Sequence, residues 1–113
     1  MGFILKILIT ATAAIIAAYF LPGVMLDGLA TALVVGLILS LLNAFVKPVL
    51  VLLTIPITIL TLGLFLLIIN AILVKVTDYF VDGFAVSGWG TAILFSLIVS
   101  VVTYLLEALA DRD

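Results

Sequence analysis

Phe3 to Leu21, Leu29 to Val46 and Trp89 to Leu106 are apolar runs in which the one formal charge is Lys6, near the start of the first. Each run is close to the ~20 residues that a helix needs to cross the hydrocarbon of a bilayer. Lipid offers no hydrogen bonds, so a chain crossing it must satisfy its backbone internally, as an α-helix does. The other charges, Asp27, Lys47, Lys75, Asp78, Asp82, Glu107, Asp111, Arg112 and Asp113, fall at or near the edges of apolar stretches. With 68% hydrophobic and 9% charged residues, the chain lacks the polar groups a soluble surface requires. We therefore expect an all-α membrane protein, lying in the lipid bilayer as a single domain over residues 1–113.

The composition also excludes functions. There is no cysteine and no histidine, which removes a disulfide framework, the usual transition-metal ligands and the commonest general base. A net charge of −2 without a basic stripe gives nucleic acid nothing to bind. Gly88-Trp89-Gly90 is too short and too apolar in context to cradle phosphate. The sequence thus points to no enzyme, no cofactor, no metal and no small-molecule substrate. Glu107 and the last three residues read as a solvated tail.

The second constraint is an internal echo. Tyr19 to Leu33, YFLPGVMLDGLATAL, lies without gaps over Tyr79 to Ile93, YFVDGFAVSGWGTAI, at an offset of sixty residues. Tyr19/Tyr79, Phe20/Phe80, Gly23/Gly83, Gly28/Gly88, Thr31/Thr91 and Ala32/Ala92 are identical. We read two copies of one unit, about 3–46 and 62–108, joined by a connection over 47–61. Each unit is expected to be a helical hairpin with an even number of spans, so that both lie the same way up as a parallel repeat. The first run resembles a signal peptide in its Lys6 and its alanines, but it has the length of a span and an internal repeat partner. We therefore read it as retained.

Pro22 and Gly23 end the first helix and Gly28 closes the connection, leaving Val24 to Leu26 extended; Gly83 and Gly88 bracket Phe84 to Val86 in the same way. Such stretches between turn glycines predict short strands in the two outer loops, paired antiparallel about a pseudo-twofold axis. Ala32, Gly36, Ser40 and Ala44 recur every four residues in the second run, and Ala92, Ser96 and Ser100 in the last. These rows of small residues predict close helix packing in lipid, within a protomer or between the protomers of a homo-oligomer. Thr10 with Ala14 and Ala18, and Ala13 with Ala17, form similar rows in the first run.

Pro48 and Pro56 break the stretch Lys47 to Thr61. We expect a short interfacial helix there, with Thr54, Thr58 and Thr61 on one face, or a shallow re-entrant piece. A third span should begin between Pro56 and Gly63 and run to about Val76. Thr10, Asn43 and Asn70 are the polar groups at depth, and interhelical hydrogen bonding is the expected use of Thr10 and Asn70. Lys75 should meet Asp78 at i+3. Lys6 and Lys47 on one side, against Asp27, Asp78 and Asp82 on the other, put both termini and the central connection in the cytoplasm.

Pro22-Gly23 with Gly28, Asn43-Ala44 with Lys47-Pro48, Leu52-Leu53-Thr54-Ile55-Pro56, Leu60 to Phe65 and Ile69-Asn70-Ala71 occur in an order that resembles the four-transmembrane phage holin superfamily IV, the mycobacterial-type holin family. That resemblance covers nearly the whole chain. It implies a small inner-membrane protein that self-associates and permeabilises the membrane, releasing an endolysin in a phage setting. The alternative within the same family is a non-lytic structural or accessory protein of the cell envelope.

Overall fold

A computed structural model describes residues 2–61 and 63–110. Its elements are α1 (Phe3–Phe20), β1 (Val24–Leu26), α2 (Gly28–Leu41), a π-helical turn (Leu42–Val46), α3 (Lys47–Leu53), α4 (Ile55–Leu60), α5 (Phe65–Phe80), β2 (Phe84–Val86) and α6 (Trp89–Ala110). The protein is mostly helical, and α1 packs on α2 and α6, while α5 packs mainly on α6.

Among the described residues, three helical stretches are long and apolar enough to cross a membrane: Phe3–Phe20, Gly28–Leu53 and Trp89–Ala110. The middle one runs further than the sequence led us to expect, because Pro48 does not end it. Proline lacks an N–H and its ring collides with the carbonyl four residues back. The π turn just before it widens the helix, and Lys47 N–H donates to Leu42 C=O five residues back. Lys47 to Leu53 is consequently a continuation of the second span, and the connection proper begins at Thr54. Pro56 then sits in the first turn of α4, a position that tolerates proline.

The expected third span is also revised. α5 starts at Phe65, after a turn containing Gly63, and ends at Phe80 rather than near Val76. Its 16 residues fall short of the ~20 that an upright span requires.

The strands form a two-stranded antiparallel sheet with Val24 opposite Val86, Met25 opposite Ala85 and Leu26 opposite Phe84. Asp27 N–H donates to Gly83 C=O and Ser87 N–H to Gly23 C=O, each at 2.8 Å. Gly83 has φ +89°, a conformation that side chains with a Cβ resist. Under the sheet lies the core: the Phe84 ring from β2 lies tilted against that of Phe95, their centroids 5.4 Å apart, among Ala14, Ala17, Val35, Val74 and Ala92.

Gly36 sets the distance between α1 and α2. A Cβ on it would stand 2.7 Å from the Ile7 carbonyl oxygen and 2.9 Å from the Ala11 nitrogen, both backbone atoms that cannot rotate away. Gly36→Ala should therefore lower stability by about 1–3 kcal/mol, the usual range for overpacking. Gly90→Ala, where a Cβ meets nothing within 4 Å, is the control. Thermal unfolding of both variants in detergent checks this, and equal melting temperatures would show that α1 and α2 are not held by this contact.

Candidate functional site

At the end of the bundle away from the sheet, α1, α2 with its π turn, and α6 enclose a polar cleft. Lys6, near the start of α1, reaches Glu107, near the end of α6, with Nζ to Oε2 at 2.8 Å. The two side chains are 39% and 29% exposed, so the pair is half-buried. The cleft beside it has a volume of about 190 Å³, and Thr10, Asn43, Ser100, Thr103 and Tyr104 contribute to its walls. A second hollow of about 360 Å³ adjoins it, between Phe3, Lys6, Ser40, Asn43 and Ala44. Thr103 Oγ1 is buried and has no hydrogen-bond partner among the described residues.

This ion pair corrects one sequence expectation. The sequence places Glu107 in a solvated tail. The last helix instead runs to Ala110, which carries Glu107 along the bundle and back to Lys6. The usable signal is that Glu107 directly follows the last apolar run, as Lys6 lies near the start of the first. Asp111, Arg112 and Asp113 lie outside the described residues.

The small-residue rows have unequal fates. Ala32, Gly36 and Ser40 are buried, as are Ala92 and Ser96, but Ser100 is exposed. Ser40 Oγ is 3.5 Å from Thr10 Oγ1, a long contact between α2 and α1. Ser96 Oγ donates within its own helix to Ile93 C=O at 2.9 Å. Asn43 is exposed in the π turn, and Asn70 is half-buried with no side-chain hydrogen bond among the described residues. Interhelical bonding at this depth is therefore made by Thr10 and not by Asn70.

Among the loop residues, Pro22 is exposed, Gly23 and Gly83 face the opposite strand's turn, and Gly88 C=O accepts from Ala92 N–H in the first turn of α6. Thr54 Oγ1 donates to Leu50 C=O at 2.8 Å and Thr61 Oγ1 to Ile57 C=O at 3.0 Å, so these threonines bond back to their own helices. The side chain of Thr58 lies outside the described set. Lys75 does meet Asp78, at 3.9 Å.

Residues 1–105 match the family described as mycobacterial 4 TMS phage holin, superfamily IV. The protein belongs to that family of membrane proteins. It is 39% identical to the uncharacterized membrane protein YvlD of Bacillus subtilis over 103 residues, covering 90% of this chain and 87% of that one. It is also 39% identical to an uncharacterized protein of Streptomyces coelicolor over 123 aligned positions, covering 99% of this chain and 98% of that one. No solved structure matches it.

Removing one partner of a half-buried pair between two helices costs more than removing one from a surface pair and less than stranding a fully buried charge. In a double-mutant cycle of Lys6→Gln and Glu107→Gln, thermal unfolding should give a coupling of about 1 kcal/mol. A coupling indistinguishable from zero would mean that α1 and α6 are held by packing alone.

Proposed function

We propose that this is a four-span inner-membrane protein that self-associates, with the cleft around Lys6 and Glu107 covered or shared by a second copy. α5, preceded by α4, makes the remaining crossing, and both termini are cytoplasmic. The two halves descend from one duplicated hairpin unit. The observation that carries the proposal is the cleft itself. Charged and polar side chains set into a lipid-immersed bundle are costly unless they are covered or lead to water.

In a holin-like assembly the cleft, with Ser100 and Asn43 exposed at its rim, is the polar surface a pore needs. This makes membrane permeabilisation the first reading. A non-lytic envelope role is the second, and one feature favours it: Lys6 and Glu107 neutralise each other within one chain.

Dye release from liposomes holding the purified protein separates the two. Leakage that rises with protein density and falls in Ser100→Leu, which greases the rim, is the expected result. Tight vesicles at every density would sink the permeabilising reading and leave the accessory one. Orientation is checked by cysteine labelling, since the chain has no cysteine of its own. Asp27→Cys and Asp82→Cys should react with an impermeant reagent from the outer side; reaction from the cytoplasmic side alone would invert the topology.

A further inference from the structure

The two edges of the small sheet are finished differently. In an antiparallel ladder, residue pairs that bond across alternate with pairs that point outward. The bonds from Asp27 to Gly83 and from Ser87 to Gly23 fix the alternation, so Val24, Leu26, Phe84 and Val86 turn their backbone groups away from the partner strand. The preceding turns take two of the N–H groups: Val24 donates to Leu21 C=O at 3.2 Å and Phe84 to Val81 C=O at 3.4 Å.

On β2, side chains of α5 finish the edge. Val86 N–H donates to Asp78 Oδ2 at 3.0 Å, and Val86 C=O accepts from Lys75 Nζ at 3.4 Å. A cation and an anion, 3.9 Å apart, thus lie along the strand. Sixty positions earlier the corresponding residues are Ile15 and Ala18, which carry neither charge nor donor. An open groove of about 420 Å³ stands there instead, with Ile15, Ala18, Val24, Leu26 and Leu29 in its walls. Leu26 is the counterpart of Val86, and its outward N–H and C=O lie on that groove.

We propose that the groove binds a phospholipid headgroup carrying a primary ammonium beside a phosphate, namely phosphatidylethanolamine of the adjoining leaflet. Its ammonium donates to Leu26 C=O and a phosphate oxygen accepts from Leu26 N–H, which repeats from outside what Lys75 and Asp78 do from inside. The acyl chains run along Ile15 and Leu29. Water would satisfy the two backbone groups but leave that apolar wall wet. A strand from a second copy would gain little, because the Val24 N–H is already taken and β1 is three residues long. The site does not depend on whether the protein permeabilises membranes.

Native mass spectrometry of the full chain in detergent, with three lipids of matched acyl chains, tests this. Phosphatidylethanolamine should be retained at one per chain. Phosphatidylcholine, which has no ammonium N–H, and phosphatidylglycerol, which has no ammonium, should be retained roughly tenfold less, the size of one charge-assisted hydrogen bond. Ile15→Lys combined with Ala18→Asp installs the internal pair and should abolish the preference. Ala18→Phe, which fills the groove, should do the same if the double variant does not fold. Equal retention of the three lipids, or a preference that survives in Ala18→Phe, overturns the proposal. So does a dimer without bound lipid that Ala18→Phe dissociates.

Discussion

A backbone that leaves its helix at the edge of a bilayer has to find partners for its N–H and C=O groups within the protein. In this chain the two loops answer that demand together. Neither Val24–Leu26 nor Phe84–Val86 is long enough to form a sheet alone, but paired about Met25 and Ala85 they bond to each other. That pairing brings the end of α1 beside the start of α6 and the end of α5 beside the start of α2. The core of Phe84, Phe95, Val35 and Ala17 forms beneath it. Helix packing then follows from the sheet: with those ends fixed, α1 can meet both α2 and α6, and the glycine at position 36 lets it approach α2 to backbone contact.

The sheet end was legible in the sequence because glycines, prolines and short β-favouring stretches are local signals. Pro22-Gly23 and Gly83 marked the turns, and the ungapped sixty-residue offset placed Met25 over Ala85, the two residues that are opposite each other in the sheet. The other end was not legible, since nothing local decides it. Pro48 looked like a helix boundary, and whether a π turn absorbs it depends on how the helix is held further along. Glu107 looked like a tail residue because its partner lies 101 positions away. Ser100 matched Ser40 in spacing, yet one is exposed and the other buried, for spacing fixes a face of a helix and not its neighbour.

That difference between the ends has a physical source in the numbering itself. Around the sheet, positions sixty apart make the same bonds: Leu21 N–H to Ala17 C=O at 3.1 Å and Val81 N–H to Thr77 C=O at 2.9 Å, with Tyr19 edge-on to Phe20 and Tyr79 edge-on to Phe80. Backbone hydrogen bonds and the turn glycines impose this, and they tolerate many side chains. At the far end the equivalence is lost. Sixty positions relate Lys6 to Leu66 and Lys47 to Glu107, so the pair that joins α1 to α6 has no counterpart between α5 and α3.

Side-chain chemistry is therefore free to differ where the backbone makes no demand. Thr10 and Ser40 approach each other between α1 and α2, whereas Asn70 and Ser100, their counterparts, do not bond. Even at the sheet, the two edges carry Lys75 and Asp78 on one side and Ile15 and Ala18 on the other. The shared backbone pattern around the sheet thus carries different side chains at positions sixty apart. Among the described residues, the polar cleft at Lys6 and the open groove at Leu26 each lie beside side chains that the sixty-residue offset does not repeat.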